Sequence, residues 1–160
     1  MPIAASSASG QRAIIQESPG GPEVLRLAEV DRPEPMLTEV LVRVHAAGVN
    51  PTDWKSRTHG RLLDDPPAIL GWDVSGVVEA VGPGVTRFRP GDEVFGMPRF
   101  PRKAGGYAEY VTAPSRHFTR KPAGLDHVHA AAPPLRGRRA TDRKRTLGAN
   151  DAAQRRREDG

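Results

Sequence analysis

The chain has 160 residues, enough for one ordinary domain with a sizeable core, and no cysteine, which excludes disulfides, thiolate metal sites and a thiolate nucleophile. Its net charge of +5 is unevenly spread: residues 136–160 carry nine of the 24 Lys and Arg and four of the 19 acids, leaving 15 against 15 elsewhere. The pI of about 10.2 therefore belongs to the tail, and a basic reading of the whole chain would mislead.

The opening residues 1–11, "MPIAASSASGQ", lack an apolar stretch of secretory-signal length and read as a flexible leader of a cytoplasmic protein. From Arg12 to about Lys121 short β-type segments dominate. "RAIIQ" is followed by the Gly/Pro turn "SPGGPEV", and "VLRLAEV" alternates apolar and polar residues as a half-buried strand does. "RPEPMLTE" breaks the chain before the strong strand "EVLVRVHAAGV". "PTDWKSRTHG" alone looks helical in this region, with Pro51 suited to the first turn, Asn50 able to cap it and Gly60 able to end it. "DVSGVVEAVG" and "EVFGM" are further strands, separated by the turn "GPGVTRFRPGD", and "GYAEYVTAPSRHFTRKP" reads as two short ones. Many short strands with Gly/Pro turns predict a barrel or sandwich. No run approaches the ~18 apolar residues of a membrane span.

After "LDHVHAAAPPL" the pattern fails. From Arg136 onward the chain contains one large aliphatic residue, Leu147, and no aromatic. Burial cannot offset the entropy of ordering such a segment, so residues 133–160 are predicted to be disordered. The clusters "RGRR", "RKR" and "QRRR" could bind phosphate backbones. The acidic residues among them and the lack of interleaved aromatics argue against a specific nucleic-acid site.

The chemistry-bearing stretch is "GVNPTDWKSRTHG", residues 48–60, which gathers Asn50, Asp53 and Lys55 between a strand and a helix. Taken alone, these residues are better described as a capped helix with a solvated polar face than as a catalytic cleft. Trp72 reads as packing, and the glycines of "VGPGV" and "RPGDEV" as turn residues, since no helix start follows them. His127 and His129 in "DHVH" lack a third ligand for a metal, and Tyr107 and Tyr110 read first as half-buried strand residues and second as residues lining the cleft.

Four stretches in order then carry a resemblance: "GGPEVLRLAEVDRPEP", "EVLVRVHAAGVNPTDWKSRTHG", "PAILGWDVSGVVEAVGPGVTRFRPGDEVFG" and "GGYAEYVTAP". Over residues 12–132 the chain resembles the N-terminal, GroES-like domain of the medium-chain dehydrogenase/reductase superfamily. Within it the chain is similar to the zinc-free quinone oxidoreductase and enone reductase branch. The resemblance implies a mainly β, partly open barrel with one or two short helices. The zinc alcohol dehydrogenases place a Cys where this loop has Asn50, and His and Glu where "GWDVSGVV" has Trp72 and Asp73. Asn and Trp replace a thiolate and an imidazole poorly, so the resemblance implies no catalytic zinc. The cysteines of the family's structural zinc lobe are also missing.

That branch implies NADPH as cofactor and hydride transfer to an electron-poor alkene or quinone, with the developing enolate stabilised by hydrogen bonds and a nearby cation. On this reading Asn50 is a polar contact near the nicotinamide or substrate and Lys55 a donor and cation. Asp53 orients its neighbours, with Asp73 joining the network. The family continues into a Rossmann domain, but "AAAPPLRGRRATDRK" leaves the pattern near Pro133 and only 28 residues remain. A βαβ unit alone needs about 30. The expectation is a truncated reductase, inactive alone, whose tail is an out-of-frame translation; reading the DNA beyond codon 132 in all three frames tests it. The alternatives are a non-catalytic binding module, as a co-chaperonin-like barrel or through the basic tail, and a product with no function of its own. Substrate and oligomeric state are not legible.

Overall fold

A computed structural model describes residues 10–61, 66–102 and 105–132; residues 1–9 of the expected leader and the expected tail from residue 133 lie outside the described residues, whereas Gly10 and Gln11, expected in the leader, are strand residues paired with Asp31 and Val30. The chain forms eight strands and two short α-helices among these residues. They are β1 (Gly10–Gln16), β2 (Arg26–Asp31), β3 (Glu39–Gly48), α1 (Pro51–His59), β4 (Ala68–Ile69), β5 (Asp73–Val81), β6 (Glu93–Gly96), β7 (Tyr110–Pro114), β8 (Phe118–Arg120) and α2 (His127–Ala131). The fold is mainly β, as its alternating segments predict.

The strands make two antiparallel sheets, ordered β2-β1-β4 and β7-β3-β5-β6-β8. They meet where Ala13 bridges Ala108, with Ile14 N–H donating to Tyr107 O (2.9 Å) and Glu109 N–H to Arg12 O (3.1 Å). The sheets do not close into a full barrel. β3 is the spine. Its first four residues are buried and its remainder alternates, so Val40 and Val42 enter the core while the later half passes along the surface. The β3–β5 pairing shifts register between Leu41 and Val42 and between Val44 and Ala46, and it ends with Gly48 opposite Asp73. These irregularities bend the pair and set which residues face each other at its end.

The main core joins Val40, Val42, Val74, Val78, Phe88, Val94, Val111, Ala113 and Phe118. Burying a Val or Phe side chain contributes about 1.5–3 kcal/mol, and this cluster is where the fold draws its stability. A second cluster of Leu70, Trp72 and Met97 packs with Phe100 and Tyr107. Trp72 is a packing residue: Phe100 meets it edge-on at 6.0 Å, and its indole N–H donates to Arg102 O (2.6 Å). Arg99, held at φ 55°, donates to Thr112 O (3.1 Å) and pairs with Glu39, tying the loop after β6 to β3 and β7.

α1 starts and stops where its sequence says. Asn50 is extended, Pro51 takes the first helical position, and Gly60 ends the helix at φ 69°. α2 rests on β3, β5 and β6 through buried Ala130 and Ala131.

Candidate active-site loop

The end of β3, the start of α1 and the start of β5 converge because the β3–β5 register sets Gly48 against Asp73. Two residues further on, Asn50 is buried. Its side-chain amide donates to Asp73 Oδ2 at 2.8 Å, and Asp73 is fully buried. Asp53 closes the helix start: its Oδ2 accepts from Asn50 N–H (2.6 Å), and its own N–H donates to Asn50 O (3.0 Å). A carboxylate inside the first turn also complements the helix dipole.

Burial pushes the Asp53 carboxyl above its usual value, against hydrogen bonds from the Asn50 and Gly71 amides and the Tyr107 hydroxyl that pull it down. Burial and the nearby carboxylates of Asp53 and Asp73 raise the Tyr107 phenol, which therefore stays protonated and available as a donor. Its hydroxyl donates to Gly48 O at 3.4 Å. Three loops thus share one polar junction, built from Asn50, Asp53, Asp73 and Tyr107.

Lys55 is not part of that junction. Its side chain is exposed, with Nζ 5.5 Å from the Trp54 ring centre. Val49 and Trp54 beside it are exposed apolar residues. The loop therefore has a buried polar side that fixes its shape and an outer side of two apolar residues and a cation.

The histidines of α2 part company. His127 Nδ1 lies 2.7 Å from Ser75 Oγ and its Nε2 3.2 Å from Glu93 Oε1, and its ring stacks on His45 at 4.5 Å. His129 instead pairs with Asp126, the residue that caps α2. Among the described residues no group of three or more His, Asp or Glu is placed to hold a metal ion. Serine, histidine and glutamate stand in the order of a hydrolytic triad, but Ser75 is wholly buried on β5 and has no room for an acyl substrate. The arrangement rivets α2 to β5 and β6.

Residues 37–123 match the alcohol dehydrogenase GroES-like domain. Curated relatives include the quinone oxidoreductase of Sus scrofa, 44% identical over 118 residues, which cover 71% of this chain and 34% of that protein. The trans-enoyl reductase FMN2 of Fusarium mangiferae is 41% identical over 101 residues, 63% of this chain and 26% of that protein. The solved quinone oxidoreductase of Coxiella burnetii superposes with a TM-score of 0.76 at 35% identity, covering 79% of this chain and 41% of that one. The chain belongs to the medium-chain dehydrogenase/reductase superfamily, in its quinone oxidoreductase branch. It is a GroES-like domain that spans about a third of the length of the curated quinone oxidoreductases it matches.

In this GroES-like domain the sequence-predicted residues Asn50, Asp53 and Asp73 come together, and Lys55 stands apart on the outer face. Tyr107 is the member that sequence reasoning ranked low, as a strand residue first and a cleft residue second. It lies in the loop ahead of β7 and not within a strand. The one signal for it was the pair of glycines preceding it, which let a backbone run close to another chain segment: a Cβ on Gly106 would lie 2.6 Å from Gly71 O.

Proposed function

We propose that this chain is the substrate-side domain of a metal-free NADPH-dependent reductase that acts on quinones or enones, and that it has no such activity alone. The observation that carries this reading is the Asn50–Asp73 bond. At the positions where the zinc-dependent branch has ligands, this chain has an amide donating to a carboxylate and a buried indole donating to Arg102 O. An amide N–H and an indole N–H are poor metal donors.

On this reading the described residues meet the cofactor at its nicotinamide end. The helix start in the loop, where a phosphate would be welcome, is already filled by Asp53's own carboxylate. Gly84 and Gly91 lie in turns between strands. A bound nicotinamide would supply the hydride. This chain's contribution is to shape the substrate side: Asn50 held by Asp73, the helix start fixed by Asp53, and the outer face formed by Val49, Trp54 and the Lys55 cation. The apolar pair suits a flat, uncharged acceptor, and the cation suits an oxygen that gains negative charge as the acceptor is reduced. Such a protein would work in the cytoplasm. Among the described residues no helix is long and apolar enough to cross a membrane.

Hydride transfer needs donor and acceptor held together, which half a cleft cannot do. The isolated chain is therefore expected to give negligible turnover with NADPH and either 1,4-benzoquinone or an enone, and about one turnover per second or more would reject its inactivity. A chimera with residues 10–132 in place of the matching stretch of the Coxiella burnetii enzyme is expected to reduce 1,4-benzoquinone. A folded, NADPH-binding chimera without turnover would reject the reductase reading.

A further inference from the structure

We infer that Tyr107 is a positioning residue, whose hydroxyl and ring together lock the Asn50 loop against the turn before β5. The inference rests on the reductase reading in taking the Asn50 loop as the substrate wall. It draws on three features of the junction. The ring of Tyr107 stands where a Cβ of residue 71 would go: Gly71 has φ 95°, and a Cβ there would lie 2.6 Å from the ring. The backbone of Tyr107 is pinned to the same turn, its N–H donating to Leu70 O at 2.9 Å, while Gly106 N–H donates to Gly71 O at 2.9 Å. The hydroxyl then reaches across to Gly48 O, one residue ahead of the exposed Val49 and two ahead of Asn50.

The hydroxyl donates to the Gly48 carbonyl, and the Asp53 carboxyl is close enough to feel the same phenol. Asp53 Oδ1 is buried and lacks a hydrogen bond of ordinary geometry, so the phenol is the side chain best placed to solvate it. Asp53 in turn holds the Asn50 backbone through its other oxygen. Tyr107 therefore acts on Asn50 from both sides, through Gly48 and through Asp53. Tyr110, three residues on, does something different: it lies under the Arg32 guanidinium at 3.8 Å.

Tyr107→Phe keeps the ring and removes only the hydroxyl. With the 160-residue chain labelled for NMR, the Asp53 carboxyl is expected to titrate at a higher pH in this variant, because a donor to its charged form is gone. The backbone amides of residues 49 and 50 are expected to exchange about fivefold faster, the factor that corresponds to one net hydrogen bond. Tyr110→Phe should change neither. A folded Tyr107→Phe protein with an unmoved Asp53 titration and unchanged exchange overturns the inference. Should that variant fail to fold, the parent chain still decides: the Tyr107 hydroxyl proton is expected to show a cross-peak to the amides of residues 49–50 and to shift as Asp53 titrates. A hydroxyl indifferent to Asp53 overturns the inference equally. None of these readings needs turnover, so an inactive chimera rejects the reductase reading and leaves them standing.

Discussion

α1 and α2 are both too short to be stable alone in water, and they are attached to the sheets in different ways. α1 buries Asp53 and Ser56 and no apolar side chain. Hydrogen bonds hold it: Asp53 to the Asn50 N–H, and the Arg57 carbonyl to Gly20 N–H (3.0 Å) and the Gln16 side chain (3.4 Å). α2 buries Ala130 and Ala131, adds the His127 bonds to Ser75 and Glu93, and comes so close to β3 that a Cβ on Gly48 would lie 2.7 Å from the Ala131 carbonyl oxygen. Burial of small residues is non-directional and tolerates small slides. A helix tied by polar bonds gains little stability from packing, but its first turn is fixed in orientation. That difference suits α1 to carry the loop that shapes a substrate wall, and α2 to close the end of the sheet.

The sharpest way to break the polar attachment is Asn50→Asp. It replaces the donor to Asp73 with a second carboxylate in a buried site, and roughly 3 kcal/mol of stability should be lost near neutral pH. The loss should shrink in acid, because one carboxyl can then take a proton and donate it to the other. Urea midpoints at neutral and acidic pH measure both effects; an equal loss at both would mean the two side chains do not face each other. The corresponding test of the apolar attachment is Gly48→Ala. Its methyl meets backbone rather than a movable side chain, and also approaches Asp73 Cβ at 3.1 Å. α2 must shift, and roughly 2 kcal/mol of stability should be lost by the urea midpoint near neutral pH. A Gly48→Ala protein as stable as the parent would show that the Ala131 carbonyl does not press on β3.

How much of this was legible in the sequence follows the same division. The strands could be read because burial on one face leaves alternation, as in "VLRLAEV" and "EVLVRVHAAGV". The limits of α1 could be read because Asn50, Pro51 and Gly60 are chosen by local backbone conformation. The Asn50–Asp73 bond joins residues 23 apart in the chain, and its partner depends on a bulged β3–β5 register that no local pattern reveals. Tyr107 reaches Gly48 across 59 residues. "DHVH" suggested a pair, but residues two apart on a helix point away from each other, and His127 and His129 find different partners. The four site candidates could be named from the resemblance, but the sequence could not divide them into a buried trio and an exposed Lys55.

The smallest effect is the most diagnostic of the polar attachment. Asp53 titrates above its ordinary value because burial outweighs its hydrogen bonds, so the folded chain binds its proton more readily than the unfolded chain. Its contribution to stability is therefore full below the unfolded value and is lost as pH rises through the folded value. The carboxylates of Asp92, Glu93, Glu109 and Asp126 are shifted the other way by their basic or amide partners, and lose stability as pH falls. They are common to parent and variant, so they cancel in a comparison with Asp53→Asn. The substituted amide cannot ionise. The stability difference should move in favour of the variant as pH is raised from about 3.5 to 7, a range that starts below the ordinary carboxyl value. Urea midpoints along that series measure the slope. A difference that is flat with pH would mean the junction solvates the Asp53 charge as well as water does, and α1 would then be held more strongly than its geometry implies.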